Sequence, residues 1–385
     1  MKIVHVIFNS PYTEGLHYQD NLLTKFHRKA GHDVTIIASK YQYNRLGQLE
    51  KNNTIVDVNK YGVRIIRLEI KGDKDFWYKF KRYVGLYEAL KVENPDVIFI
   101  HGIQSLDIDV ILRYKRDVER RAGKVIRLYG DSHGDYSNSA RNWLSKNILH
   151  KVIWKRYVRK VSKHAEKIYG TLPCRVTFMK ELYGVDGEFL PMGVDDDEVR
   201  RLDIEGSRIR EKIRKETYTE DKFVIITGGK IDKYKLGVLN LIRAVKEIPG
   251  VELWVFGSIE LSYIKEFTSL IGSNVRYLGW LDYESAYNYV YASDLVVFPS
   301  RHSVYWEMCA GIGKPMVVKY QEGIGHLPCT KMLYSCTKDE IVDVLKSIIN
   351  NRYEYKLMVD KAKAGREVFW HKYNGNVKEV AYMEV

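Results

Sequence analysis

The chain is predicted to be an α/β protein with two doubly wound parallel sheets in tandem. Three observations predict this. Short apolar runs alternate with amphipathic helical stretches along most of the sequence. The length of 385 residues suits two domains. The strand-like runs also end in polar loops, where open parallel sheets bind ligands.

The elements follow in order. KIVHVIF (2–8) is an apolar run entering a polar loop, Asn9 to Leu16. Leu22, Leu23 and Phe26 then fall at helical spacing, with Gly31 placed to end the helix, and DVTIIAS (33–39) is the next strand. This strand–helix–strand opening is a βαβ unit. Strands are predicted at 62–70, 95–102 and 124–135, with helices at 77–92 and 107–121 between them. The basic segment 141–167 reads as one long helix. Two short strands follow, flanking a helix at 174–184. The charge-dense stretch 196–220 reads as the connection between domains. A second alternation then starts, with strands at 223–229, 251–258, 274–281, 295–300 and 315–320 and helices at 236–248, 282–294 and 304–312. The C-terminal stretch reads as helical.

Composition narrows the class. Apolar residues make up 45% and charged residues 29%, enough for a sizeable core. No run of 18 apolar residues is present to span a membrane as a helix. The opening MKIVHVIFNS is too short an apolar run, and too soon polar, for a secretory signal. The cysteines, Cys174, Cys309, Cys329 and Cys336, form no CxxC pair, so a reducing cytoplasm is the expected compartment and no metal site is expected. The net charge of +13 asks for a polyanionic partner, and residues 141–167 alone carry +8 of it.

The candidate functional residues lie in loops after strands. Gly228, Gly229 and Lys230, with Lys235 five residues on, precede a helix whose N-terminus suits a diphosphate. Taken alone, the lysines fit a solvated loop equally well. No GxGxxG follows the strands at Phe8 or Ile226, and no GxxxxGK[ST] occurs, which argues against a nicotinamide site and a P-loop. His133, in Asp131-Ser132-His133-Gly134-Asp135, is the candidate catalytic histidine, with Asp131 beside it. Glu307 can accept two hydroxyls, such as those of a ribose, or can serve as a first-turn partner of its helix.

These residues carry a resemblance. Gly279-Trp280, then Ala292-Ser293-Asp294-Leu295-Val296-Val297-Phe298-Pro299-Ser300, then Glu307 and Gly313-Lys314-Pro315, resemble the signature of retaining, family-4-type glycosyltransferases of GT-B fold. Lys230 and Lys235 resemble that family's Arg…Lys pair on the donor diphosphate. Glu14-Gly15, Gly31-His32-Asp33-Val34, Pro95-Asp96-Val97, His133-Gly134 and Leu190-Pro191-Met192-Gly193-Val194-Asp195 resemble its N-terminal landmarks in the same order. One feature departs. The family has two glutamates separated by seven residues, and only Glu307 has a counterpart here, with Pro299 eight positions before it, so the first glutamate's contacts with donor-sugar hydroxyls pass to His302, Ser303, backbone groups or nothing.

The resemblance implies a GT-B architecture, two Rossmann-like doubly wound domains facing a central cleft. It implies an acceptor-side domain at 1–195 and a nucleotide-sugar domain at 196–365, with a C-terminal helix at about 366–385 returning to the first. It implies a retaining, metal-independent hexosyltransferase without a cofactor, moving a sugar from a nucleotide-diphosphate sugar to a glycan or lipid-linked acceptor in surface polysaccharide or glycoconjugate synthesis. His133 and Asp131 would be catalytic, and Gly15, Gly229, Lys230, Lys235, His302, Ser303 and Glu307 would bind the donor. Two other readings stay open: a GT-B-fold sugar-nucleotide epimerase, which needs no acceptor, and a basic nucleic-acid-binding protein, against which no recognised nucleic-acid module appears. The basic segment is expected to hold the protein on an anionic membrane, at its inner face. Trp143 and Trp154, eleven positions apart, would share one buried stripe opposite Lys155, Arg156, Arg159, Lys160 and Lys163.

Overall fold

The computed structural model describes residues 1–44, 47–72, 80, 82–234, 236–328 and 331–371. The chain divides into two compact units. Among the described residues, the first holds 1–44 and 49–192, and the second holds 47–48 and 193–371.

Among the described residues the first unit has ten strands: β1 (Lys2–Ile7), β2 (Asp33–Ser39), β3 (Tyr41–Tyr43), β4 (Leu49–Lys51), β5 (Val56–Val58), β6 (Arg64–Leu68), β7 (Val97–His101), β8 (Arg127–Ser132), β9 (Lys167–Gly170) and β10 (Glu188–Phe189). Eight form one sheet in the order β10-β9-β8-β7-β1-β2-β6-β5. Every pairing in it is parallel except β5 with β6. The sequence expectation omitted β5 and the β3–β4 hairpin, which are only three residues long and too brief to show a period. Because side chains alternate across a strand, Val4, Val6, Ile98, Ile100 and Leu128 enter the core on one face. Ile3, Val97, Phe99 and Tyr129 enter a smaller core on the other, with Leu23 of α1 (Gln19–Lys29).

The basic segment is not one α-helix. Ser145–Trp154 is π-helical and α2 (Lys155–Ser162) continues it. The i→i+5 winding advances each residue by a smaller angle than an α-helix does, so the phase drifts along the segment. Trp143 and Trp154 therefore do not share a stripe: Trp154 is buried, while Trp143 is 71% exposed.

Among the described residues the second unit has six parallel strands, β11 (Phe223–Gly228), β12 (Val251–Phe256), β13 (Val275–Gly279), β14 (Leu295–Phe298), β15 (Met316–Lys319) and β16 (Lys331–Leu333), in the order β13-β12-β11-β14-β15-β16. The stretch read as an interdomain connection is instead α3 (Asp196–Glu216), a 21-residue helix of this unit. The Asp195 side chain caps it by accepting from Asp197 N–H, and Val199, Leu202 and Ile213 bury one side. Arg210 and Arg214 on α3 both pair with Asp294 at the start of β14. A high charge density concealed a helix with one narrow apolar edge. The expected C-terminal helix at about 366–385 lies outside the described residues from 372 on; its first residues form a 3-10 turn, Arg366–Phe369, and His371 reaches Val194 O and Asp196 within this unit.

Candidate functional site

In both sheets the strand order reverses at the first strand of the unit, between β7 and β2 around β1, and between β12 and β14 around β11. Ligand crevices form beyond the carboxyl ends of strands at such points. The sequence-predicted residues gather at both.

In the first unit, Asp131 is the last residue but one of β8, directly in register with His101 of β7. Asp131 is fully buried: His101 Nδ1 lies 2.9 Å from its Oδ2, Gly102 N–H donates to Oδ1 (2.9 Å), and His133 Nε2 lies 3.1 Å from Oδ1. Burial pushes its carboxyl up, but His133 and His101 outweigh this and hold it well below the usual carboxylate range. The loop after β1 closes over the pair, because Phe8 and Asn9 N–H both donate to His101 O (2.7 and 3.0 Å). Gly102 permits that approach: a Cβ there would lie 2.8 Å from Asn9 N, and its φ is +90°. Asn9 Nδ2 stands 3.2 Å from His133 Nε2.

The loop carrying His133 is held rigidly. Asp135 Oδ1 accepts from Ser137 N–H and Asn138 N–H, and its Oδ2 pairs with the buried Arg175 at 3.1 Å. Asn138 Nδ2 also donates to His133 O at 2.9 Å. Gly15 is exposed, in a loop at positive φ.

His101, Asp131 and His133 are also a group whose potential metal-ligand atoms lie within 4.8 Å of one another. Those atoms are already spent on each other, since both imidazoles bond to the one carboxylate. The arrangement suits an oriented histidine better than a resident ion.

In the second unit, β11 ends at Gly228, Gly229 follows it, and Lys230 is exposed beyond them. Lys235 lies outside the described residues. Helix α4 (Gly237–Val245) begins against the end of β14, so close that a Cβ on Gly237 would lie 1.9 Å from Pro299 O and 3.0 Å from Ser300 Oγ. That hydroxyl is buried without a hydrogen-bond partner among the described residues. Arg301 stacks on Tyr234, 3.8 Å from the ring centre, which joins the loop after β14 to the loop after β11.

Glu307 lies in the first turn of α5 (Tyr305–Ile312) and is fully buried. His302 Nε2 reaches both its oxygens (2.9 and 3.0 Å), and His326 Nε2 reaches Oε1 (3.3 Å). Burial raises its carboxyl, yet His302 and His326 pull it down to about 2. A ribose hydroxyl would have to share these oxygens with two imidazoles. Ser303 is half-buried and gives its carbonyl to Trp306 N–H (2.9 Å) at the helix start. Nearby, a cavity of about 570 Å³ opens at the ends of β12 and β13, lined by Lys230, Gly257, Ser258, Phe267, Tyr277 and Trp280 among others.

Sequence reasoning missed several of these groups. His101 closes the strand read at 95–102, and His5 stood as a polar residue in an apolar strand. Arg301 adjoins the Pro299-Ser300 landmark. His326 carries no local signal.

The sheets, their order and the sites at their carboxyl ends define a GT-B fold, and comparisons with known proteins agree. Sucrose-phosphate synthase of Thermosynechococcus elongatus superposes with a TM-score of 0.69 at 14% identity, over 98% of this chain and 97% of its own. HepE of Anabaena, solved in complex with UDP, gives 0.69 at 15% identity, over 98% and 99%. More specifically, the chain resembles the family-4 type of these glycosyltransferases. Residues 20–198, just under half of the chain, match the model of Glycosyltransferase Family 4. The lipopolysaccharide core biosynthesis glycosyltransferase LpsD of Rhizobium meliloti is 35% identical over 109 residues, 27% of this chain. That match spans 31% of the relative's own length.

Proposed function

We propose that the chain is a glycosyltransferase that takes a sugar from a nucleotide-diphosphate sugar and passes it, with retention, to a glycan or lipid-linked acceptor in lipopolysaccharide or other surface-polysaccharide synthesis. The observation that carries the donor reading is the buried, unpartnered hydroxyl of Ser300 at the N-terminus of α4. A leaving diphosphate there would meet that hydroxyl and the positive end of the helix dipole. Lys230, Lys235 and Arg301 would add charge where it develops, without calling on a metal or a cofactor. The cavity beside Tyr277 and Trp280 has the size and aromatic lining that suit a nucleobase. Gly229 permits the close backbone turn, His302 and Ser303 border the sugar position, and Glu307 fixes His302. In the first unit His133, backed by Asp131, would serve the acceptor or the transferred sugar, with Gly15 in the neighbouring glycine loop.

A lipid-linked acceptor fits the basic segment. Trp143, Leu144, Ile148 and Val152 are exposed, and so are Arg141, Lys151 and Arg156. Apolar side chains among cations suit the interface of an anionic bilayer, at the inner face of the membrane. Arg159 and Lys160 are engaged elsewhere, with Tyr183 O and Asp109. Liposome co-sedimentation checks this. Trp143→Ala combined with Lys151→Glu and Arg156→Glu should abolish binding to anionic vesicles, and unchanged binding removes the membrane role.

The activity is tested by screening nucleotide sugars for thermal stabilisation, then following nucleotide release with and without acceptor glycolipids. Acceptor-dependent release with a retained anomeric configuration is expected. Conversion of the sugar without acceptor would make the chain an epimerase, and no stabilisation by any nucleotide sugar would end the reading.

A further inference from the structure

Two buried side chains at the start of α1 lie outside the site described above. Gln19 and Asp20 open that helix and are 2% and 1% exposed. Both side-chain amide atoms of Gln19, and Oδ2 of Asp20, are buried without a hydrogen-bond partner among the described residues. Oδ1 of Asp20 accepts from Asn21 N–H at 3.1 Å. Buried polar groups left unbonded destabilise a fold, so two such residues in succession need a reason.

Their position follows from the periods of helix and strand. Asp20, Leu23 and His27 are spaced by three and four residues, so they share one face of α1. Leu23 packs with Ile3, Val97, Phe99 and Tyr129 of the sheet. His27 Nδ1 stands 3.0 Å from His5 Nε2 on β1, and His5 Nδ1 stands 2.9 Å from His101 Nε2 on β7. Because β1 and β2 are parallel, the helix between them runs back against β1. From His27 back to Asp20 the helix rises about 10.5 Å, whereas the two residues of β1 beyond His5 span only about 6.6 Å. Asp20 therefore stands over the carboxyl ends of β1 and β7, the edge that carries His101, Asp131 and His133. Electrostatics agree: burial pushes the Asp20 carboxyl up, while His101 and His133 pull it back. Gln19, one turn before Leu23, is buried beside it.

The chemistry suits sugar hydroxyls. A helix N-terminus ordinarily favours an anion, but the Asp20 carboxyl in the first turn opposes one, and a neutral polyol meets no such opposition. A carboxyl offers acceptors, and an amide offers two donors and an acceptor. Together they can bond adjacent hydroxyls, each of which gives one hydrogen bond and takes others. Tyr18, the N-cap residue, is half-buried and adds a flat apolar face against which a ring can pack. The loop before the helix is tied to it by Asn21 Nδ2, which donates to Thr13 O at 3.0 Å. Gly15 in that loop is exposed at φ +78° with open space around it, so a ring can reach the pair by displacing the loop. We propose that Gln19 and Asp20 bind adjacent hydroxyls of one sugar ring at the edge that carries His133, the ring belonging to the donor or to the acceptor. The identity of the ligand rests on the glycosyltransferase reading; the burial and the unmade bonds do not.

The test compares the full chain with Gln19→Met and Asp20→Leu, which keep the size of each side chain and remove its polar atoms. In thermal melts without sugar, both variants should match wild type or exceed it by up to about 4 °C. A lower melting temperature in both means that the pair is already bonded within the fold, and overturns the proposal. Saturation-transfer NMR then follows D-glucose, D-galactose, D-mannose and N-acetyl-D-glucosamine. Wild type should bind at least one, and each variant should bind it roughly tenfold more weakly. Binding of none by wild type overturns the proposal, as does unchanged binding in the variants. Asp20→Asn, which keeps the shape of the side chain, takes the place of Asp20→Leu if that variant does not fold. The nucleotide sugar chosen by the thermal screen separates the two sources. A donor ring lowers its affinity in the variants and leaves that of the matching nucleoside diphosphate unchanged. An acceptor ring raises only the acceptor KM. A chain that binds a monosaccharide through this pair yet transfers no sugar keeps the subsite and loses the glycosyltransferase reading.

Discussion

Asp131 and Glu307 are the same device built twice, once in each unit: a fully buried carboxylate between two histidines. In both, burial favours the neutral acid and the imidazoles outweigh it. The supports differ. Asp131 ends a strand, receives a backbone N–H and backs onto a file of buried rings, and one of its histidines, His133, has a side chain 23% exposed. Glu307 begins a helix, and its histidines come from loops with side chains only 11% and 7% exposed. A carboxylate that orients a half-open histidine can serve turnover. One that closes on two covered histidines holds a binding loop in shape. Chemistry and stability should therefore separate between the two.

The sharpest way to break the comparison is Asp131→Asn. Turnover of the proposed transfer should fall roughly a thousandfold, with donor KM little changed, because the amide no longer fixes the histidine that handles the proton. Steady-state kinetics check this, and an equal loss in Glu307→Gln would erase the distinction.

Glu307→Gln should act on stability instead. Its carboxyl lies at about 2 in the folded chain against an ordinary 4.5, which corresponds to about 3 kcal/mol. The folded value is the lower one, so this contribution is complete above about pH 4.5 and is lost as pH falls towards 2. Denaturant unfolding should show wild type more stable than the variant at neutral pH, with the gap closing across that window. A constant gap would mean that Glu307 is not held by charge.

The smallest effect sharpens the donor side. Lys230→Ala should weaken nucleotide-sugar binding roughly tenfold, and Lys235→Ala similarly, as expected for one charge-assisted phosphate contact. Calorimetric titration checks this, and unchanged affinity in both variants would move the diphosphate elsewhere.

Much of the fold was legible because periodicity is local. Short apolar runs rich in β-branched residues, such as KIVHVIF and LVVF, read as buried strands, and their alternation with helices points to parallel sheets. The loops after β8, β11 and β14 were legible for the same reason, since a strand that stops in glycine and polar residues marks a sheet's carboxyl edge. Where one local rule met a competing one, the reading failed. Charge density hid α3, and π-helical winding turned Trp143 to the surface.

The sequence by itself determined the two α/β units, the strand-end loops and the residue types in them. Only the tertiary structure decided which of those residues meet. His5 and His101 are 96 positions apart and His101 and Asp131 are 30 apart, yet each pair bonds at 2.9 Å because the sheet sets β1 beside β7 and β7 beside β8. His326 finds Glu307 across 19 residues in the same way. Strand order is set by how whole elements pack, so residues far apart in sequence carry no local mark of the partners they meet.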